Sequence, residues 1–580
     1  MKFVLITFVA LLGSYLTALN SGFLGDDTIR IIGNVELNSL STALKGSLGD
    51  RPLLMFLMWI EWNLFENNPI YFRIVNLALQ SLAAHQLYLL ILELQDGGAF
   101  KKNKRLAFSA ALIFALHPIH SQSITIIIQC SVIIAGIFGF FSMRYFFRYL
   151  SDPKVHHLSF SVIALALGFL VKPIVAFIPI FYLVSSLMIK GPGIKGKQYL
   201  IPYFCTLLIP ILLFISNVQN LQVQPISPLA YFLVQTEVIF TYARLIIFPS
   251  GLKYLYDFHL PQNLILNIGW LYLAFHISIF LILKKMIKDK AVFLWIIGIY
   301  LCFLPESSFF PIDYLAFEHR TYFAVGFFII SMSLLVERLQ FRKNIFYSVV
   351  AIVIALFIGL NQIRNLQIKS SNRWKIHTLE NSESFHHYNF NFAYQLMDQG
   401  KWESIGHIIK KYNRLYPQII RYKILESMYS YYASNKKNKH ELEKIAEYLN
   451  LNFENTESRR RSEVIRFLVK EIMAKNPSLE DMILFEKILA KQILIFRSNQ
   501  LEFGKWLNYY EILASTLLGP NFEKNYAFLD RENYLKTKAI MQFYFNKKYP
   551  RLGNEITKEL NKSPDSYILK RIDKMINSKI

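Results

Sequence analysis

The chain has 580 residues, of which 53% are hydrophobic and 15% aromatic, and a formal net charge of +23. An overall apolar fraction near one half is ordinary for folded proteins, so the average excludes little. The charge is shared, with 26 Lys/Arg against 16 Asp/Glu up to residue 361 and 37 against 24 beyond it, which leaves no concentrated basic stripe of the kind a nucleic-acid binder carries.

Distribution is more telling than composition. Residues 1–361 are long apolar runs cut by short basic loops, whereas 362–580 mix charged and apolar residues throughout. The first part therefore reads as a polytopic transmembrane bundle and the second as a separate helical domain, an all-α chain overall. Basic loops suit contact with anionic lipids or phosphorylated lipid carriers. Cys130, Cys205 and Cys302 lie in apolar stretches with no paired spacing and read as small buried hydrophobes, not as a disulfide framework or metal cluster.

In chain order, residues 3–19 follow Met1-Lys2 without a convincing small-x-small cleavage site before Asp26, so they read as an uncleaved first span. Further spans are expected at about 70–92, 106–116, 124–143, 157–171, 173–189, 199–216, 265–283, 291–304, 320–336 and 344–361, eleven in all. Two other apolar segments, 51–65 and 231–248, would each invert every later loop if they crossed alone. Both are expected as interfacial or re-entrant helices, with Trp59 and Trp62 at headgroup level.

Loop charge then orients the chain. One alternating set of loops carries 18 Lys/Arg, from Lys2 through Lys104, Arg105, Arg144, Arg148, Lys284 and Lys285 to Lys343, and the opposite set carries six. The positive-inside rule puts the N-terminus inside and the loops at 20–69, 117–123 and 305–319 outside, together with the C-terminal domain.

Ionisable groups at span ends are costly and mark functional sites. On the outer face the sequence places Asp26-Asp27 after the first span, Arg51, and Arg73 at the mouth of the next. It adds the His117-Pro118-Ile119-His120 turn, Lys172-Pro173 inside a long apolar run, and Glu318-His319-Arg320 at the start of a late span. Each has a plainer alternative: a solvated helix end for the Asp pair, snorkelling anchors for Lys172 and Arg73, and a hydrogen-bonded turn for the two histidines. Their convergence on one face suits a cavity for a negatively charged, lipid-linked substrate.

The ordered set GDD (25–27), RPL (51–53), FRIVNLALQ (72–80), FALHPIHSQSI (114–124), LGFLVKP (167–173), YFLVQTEVIFTYARLIIFPSGL (231–252) and LPESSFFPIDYLAFEHRTY (304–322) resembles the GT-C membrane glycosyltransferases. More narrowly it is similar to the transmembrane-and-tetratricopeptide-repeat O-mannosyltransferases and their bacterial relatives. That resemblance implies a polyprenyl-phosphate-linked sugar as donor, taken from the outer leaflet, and an acidic base in the first outer loop, here Asp26 and Asp27. It implies an inverting single displacement. Phosphate binding would fall first to Arg320, then to Arg73, Lys172 and Arg51, with His319 donating and Glu318 orienting Arg320. His117 and His120 would line the cavity. The chain departs from the pattern at Arg73 and Gln80, where relatives often carry His, and at Lys172-Pro173, where they usually carry Lys-Glu. No closed metal site is expected and no cofactor is firmly implied. A divalent metal stays open, because members of that fold differ in metal use.

Beyond residue 361, NFAYQLMDQGKWESIGHIIKKYNRLYP (391–417) fits a degenerate tetratricopeptide pattern, with Gly400 at the turn and Ile405 and Tyr412 where small residues are usual. Helices are expected at about 421–434, 440–450, 461–474, 479–496, 504–517 and 530–546. Such arrays often grip peptides, which makes 362–580 a candidate acceptor-binding domain. Transfer to a glycolipid or lipid-linked glycan, and a non-catalytic scaffold recruiting partners, remain the other readings. Richness in Lys, Asn, Ile, Phe and Tyr hints at an AT-rich bacterial genome, hence an inner membrane and periplasm.

Overall fold

The computed structural model describes residues 1–450 apart from 33, 46–50, 98–102, 190–195, 218–226, 257, 259–262, 313, 340–341, 382–386, 416–419 and 435–439. The expected helices between 461 and 546 lie outside the described residues. The chain divides into two compact units, Met1–Phe385 and His386–Ile580. Among the described residues the fold is entirely helical, as an apolar environment demands: each backbone N–H and C=O must find its partner within its own segment.

Among the described residues, six helices are long and apolar enough to cross a membrane: Pro69–Asp96, Ile127–Ser151, Pro228–Ile247, Gly269–Met286, Glu318–Leu339 and Lys343–Gln367. Shorter apolar helices occupy Lys2–Ala18, Pro52–Phe65, Val155–Phe169, Pro173–Met188, Gln198–Leu212 and Lys290–Leu301. The chain is thus an integral-membrane helical bundle. Ile127–Ser151 forms its centre with 72% of its apolar window buried, whereas Gly269–Met286 and Lys343–Gln367, at 11%, turn their apolar faces outward as a lipid-facing helix does. Starts are set locally. Asn68 and Ser227 cap helices that have Pro in the first turn, and Asn103 and Asp289 accept from Leu106 and Ala291 at theirs. The core is close-packed through glycines: a Cβ at Gly136 would collide with the Tyr322 ring, and one at Gly298 with Phe327.

Contacts separate the loops into two groups. At one end Arg144 and Arg148 flank Glu93, Arg105 donates to Tyr347, and Arg338 pairs with Asp289. At the other end lie Asp27, Leu53, Gln122, Leu170, Tyr254, Glu318 and Arg364, tied together by the bonds described below. These are the two loop sets separated by charge in the sequence.

The segment expected to be re-entrant at 231–248 folds as one 20-residue helix, Pro228–Ile247, long enough by itself to cross. Its polar contacts go both to loops of the Asp27 end and to the neighbouring helix Gly269–Met286, where Thr236 donates to the Gly269 carbonyl (2.9 Å) and its own carbonyl meets His276 (2.9 Å). Tyr231 donates to the Glu306 carbonyl, Gln235 to that of Leu315, and Tyr242 to that of Phe317, while the Ile246 carbonyl meets His117. These bonds tie four positions along the helix to loops of that end. Pro52–Phe65, at 14 residues, spans only about 21 Å and joins the same end through the Leu53 N–H to Leu170 carbonyl bond of 3.1 Å.

The first apolar helix, Lys2–Ala18, and the last, Lys343–Gln367, are stitched by amides. Asn361 accepts from Tyr15 (3.1 Å) and donates to the Leu116 carbonyl (2.9 Å), Asn365 donates to the Ser14 carbonyl (2.8 Å), and Gln362 donates to that of Gly13 (3.0 Å). Inside an apolar bundle these bonds hold register as well as adding stability.

In the second unit, His387–Asp398 and Gly406–Leu415 form a helical hairpin. It turns at Gly400, whose φ of +74° suits a residue without a side chain. Leu396, Ile405, Ile408 and Tyr412 are buried, so the bulky residues at 405 and 412 supply core. Ile420–Ala433 and His440–Asn450 follow within a residue of their expected bounds.

Candidate active site

The loop after the first helix turns at Gly25, with φ +55°, and delivers two carboxylates into different surroundings. Asp27 is fully buried. Its Oδ2 accepts the backbone N–H groups of Leu24 (3.1 Å) and Ile127 (3.0 Å), and its Oδ1 accepts that of Ile128 (3.0 Å). Burial raises its pKa to about 6 against the opposing pull of these bonds and of Arg73. Asp26 is half-buried and lies within electrostatic reach of Lys172.

Arg73 is buried beside the Asp27 loop. Its Nε donates to the Thr125 carbonyl (3.0 Å), one terminal nitrogen to Leu19 (2.9 Å) and the other to Gly22. A guanidinium spread over three carbonyls holds the 19–22 loop against 125–128, the segment that also grips Asp27.

The remaining cations collect on the Asp26 side. Lys172 is buried in a helix break and donates to Gln129 Oε1 at 3.3 Å. Burial lowers its pKa to about 7, with Glu306 and Asp26 working against that fall and Arg51 and Arg320 adding to it. Arg320 sits 3.5 Å from Glu306, donates to the Leu315 carbonyl (3.2 Å) and lies 5.4 Å from the centroid of Phe317. His319 stacks on the same ring and is fixed from both its backbone N–H (3.0 Å) and its Nδ1 (3.1 Å) to Gln122 Oε1. Lys172, Arg320 and Arg51 all act electrostatically on this imidazole.

Glu318 behaves differently from the sequence expectation. It is fully buried and pairs with Arg364 (3.0 and 3.2 Å), while Tyr256 donates to it at 2.8 Å. Its carboxylate is satisfied by these two, and the acid beside Arg320 is Glu306. His117 is a filled turn residue. Its Nε2 meets the Ile246 carbonyl at 3.0 Å, its Nδ1 accepts from Ile119 at 3.3 Å, and burial lowers its pKa to about 4. His120 is buried against Phe114 and Tyr322.

The structure therefore brings Asp26, Arg51, Lys172, His319 and Arg320 together with Glu306. It sets Asp27 with Arg73 and Glu318 with Arg364 as supporting pairs, and His117 and His120 in packed surroundings. Sequence reasoning passed over Glu306, though it stands in the quoted LPESS run, and Arg364, an arginine inside the final apolar helix, which is itself a signal. Among the described residues no group of three or more His, Cys, Asp or Glu is placed to hold a metal ion.

Fold and site together define an integral-membrane helical protein with a charged, mostly buried site at one end of its bundle. No family model and no solved structure matches the chain. A curated protein, Protein O-mannosyl-transferase F38B6.6 of Caenorhabditis elegans, is 26% identical over 140 residues, which is 22% of this chain and 20% of that protein. The matched stretch thus spans about a fifth of the relative's length.

Proposed function

We propose that the chain is a GT-C-type glycosyltransferase that moves a sugar from a polyprenyl-phosphate carrier to a protein hydroxyl on the outer face of the membrane. The observation that carries this reading is a half-buried carboxylate, Asp26, within electrostatic reach of the buried Lys172, which also has Arg51, Arg320 and Glu306 around it, at one end of a membrane bundle. The partial likeness to a named O-mannosyltransferase points the same way.

In this reading Asp26 is the general base and Asp27 the buried group that shapes its loop. Asp26 takes the proton of the acceptor hydroxyl as that oxygen bonds to the anomeric carbon from the face opposite the leaving group. The bond between that carbon and the phosphate oxygen breaks, and the carrier departs as the polyprenyl phosphate anion. The sugar configuration inverts, and no covalent enzyme intermediate forms. Lys172, Arg51 and Arg320 stabilise the charge gathering on the phosphate, and they act strongly because the site is largely dry. The hairpins of the second unit serve acceptor polypeptide, as helical arrays commonly do.

The test is intact-mass analysis of envelope proteins from a deletion strain complemented with wild type or single variants. Wild type restores a hexose or pentose increment on an acceptor, and Asp26→Asn inserts normally but fails to restore it. Asp27→Asn keeps some transfer but unfolds at lower temperature, because the amide offers only one oxygen where the carboxylate accepts three backbone N–H groups. Full restoration by Asp26→Asn would remove it as the base.

A further inference from the structure

Arg364 lies on the last spanning helix, 2% exposed, and takes no direct part in the scheme above. One terminal nitrogen is bonded to both oxygens of Glu318, and the other to the Leu252 carbonyl and to Gln367 Oε1 (3.0 Å). Glu318 immediately precedes His319 and Arg320, within one short helical turn, Glu318–Thr321. A buried carboxylate held by a two-oxygen contact from Arg364 and by Tyr256 cannot rotate without losing charged hydrogen bonds, so the turn that aims His319 and Arg320 is pinned from behind.

The same guanidinium has a second contact. Its Cζ lies 4.0 Å from the centroid of Tyr254. Trp374, on the helix Ser371–Asn381, meets the same Tyr254 ring in a T-shaped contact, with centroids 5.8 Å apart at 83°. The indole in turn backs the Gly25 backbone: a Cβ at Gly25 would stand 3.4 Å from Trp374 Cη2. Gly25 is the left-handed turn residue that presents Asp26. Tyr254 also accepts from Gln122 through its carbonyl (3.2 Å), and Gln122 is the residue that holds His319. A continuous column therefore runs from the Asp26 loop through Trp374, Tyr254 and Arg364 to the His319-Arg320 turn.

We propose that Arg364 is a positioning residue: by bridging Glu318 and the Tyr254–Trp374 stack, it sets the spacing between the Asp26 loop and the anion-binding cations. This inference rests on the proposed anion site. A cation–π and ion-pair strut of this kind keeps the two loops at fixed separation, and substrate binding then costs less reordering.

The probe is farnesyl methyl phosphate, a phosphodiester of constant single charge, titrated against the full chain in lipid nanodiscs, with the melting temperature read in parallel. Arg320→Ala reports on the anion site itself and should raise Kd at least about tenfold. Arg364→Gln should raise Kd about tenfold, and Glu318→Gln similarly, with the double variant no worse than either, because both singles break one unit. Arg364→Lys should recover part of the affinity, and Trp374→Leu should weaken binding without touching a charge. If Arg364→Gln fails to fold, Tyr256→Phe removes one bond to Glu318 while keeping the ion pair, and should raise Kd several-fold. If Arg320→Ala raises Kd while the folded Arg364, Glu318 and Tyr256 variants stay within twofold of wild type, the positioning role is wrong and the anion site stands. If Arg320→Ala itself leaves Kd unchanged, the anion site is wrong and the inference falls with it.

Discussion

Lys172 puts its ammonium in a buried break between two apolar helices, where desolvation brings its pKa down to about 7 even though Glu306 and Asp26 oppose that fall. The sign of its pH dependence follows from its chemistry. The lysine attracts a phosphate only when protonated, so anion affinity is greatest below about pH 7 and declines as pH rises through and beyond that value. Between pH 6 and 8 the Kd for farnesyl methyl phosphate should rise, by as much as roughly tenfold, with the probe's own charge constant. Lys172→Arg should flatten that profile, because a guanidinium stays charged throughout. A wild-type Kd that is the same at pH 6 and 8 would remove Lys172 from the anion site. Glu306 is the companion acid, and its 3.5 Å contact with Arg320 gives the cations a resident partner. In a Lys172→Arg background, where the cation stays charged without Glu306, Glu306→Gln should tighten the probe several-fold at neutral pH, since the phosphate no longer competes with a fixed carboxylate. Unchanged or weaker binding would show that Glu306 does not compete.

At the scale of elements, the apolar runs and the segregation of loop charge were legible because each is a local property. Run length and loop composition need no knowledge of what a segment touches. The site was half legible for the same reason. Asp26, Arg51, Lys172 and the 318–320 triplet announce themselves as charges at the ends of apolar runs. Their partners do not: Glu318 finds Arg364 across 46 positions, and Asp27 is held by backbone N–H groups about 100 positions away. No spacing rule encodes pairs that only packing brings together. Packing tolerance is likewise invisible in sequence, since Gly298 and Gly359 look alike in two apolar helices. A Cβ at 298 collides with Phe327, whereas one at 359 meets nothing within 4 Å. Gly298→Ala should therefore destabilise the bundle by about 1–3 kcal/mol. Gly359→Ala should be neutral or stabilise by up to about 1 kcal/mol through helix propensity. Thermal unfolding in detergent by intrinsic fluorescence reads both, and equal shifts would show that the close approach at 298 can relax.

At the scale of the whole molecule, the proposed function depends on sidedness. The structure gathers the Asp26, Lys172 and Arg320 loops at one end of the bundle and the Glu93–Arg144 and Asp289–Arg338 loops at the other. In the proposed orientation, loop basicity puts the second end on the inside. The proposal requires eleven crossings, with Pro52–Phe65 and Pro228–Ile247 both kept on the Asp26 side, so that residues beyond 385 would emerge on that side as well. The contacts of Tyr231, Gln235, Tyr242 and Ile246 favour this treatment of the longer helix, against its sufficient length and the Thr236 bonds to Gly269–Met286. One further crossing would send the second unit to the inside, where it could not deliver a polypeptide to Asp26. The two arrangements differ in labelling. Cys130 and Cys302 are buried, so with Cys205 replaced by Ser, single cysteines at Lys2, Glu36, Lys288 and Lys401 report on the loops and the tail. In intact cells with a permeabilised outer envelope, a membrane-impermeant maleimide should modify positions 36 and 401. Positions 2 and 288 should react only after the inner membrane is opened. Labelling of 36 without 401 would place the acceptor-binding role of the second unit out of reach of the site, and the site would then have to take its acceptor directly from the membrane or from the outer solution.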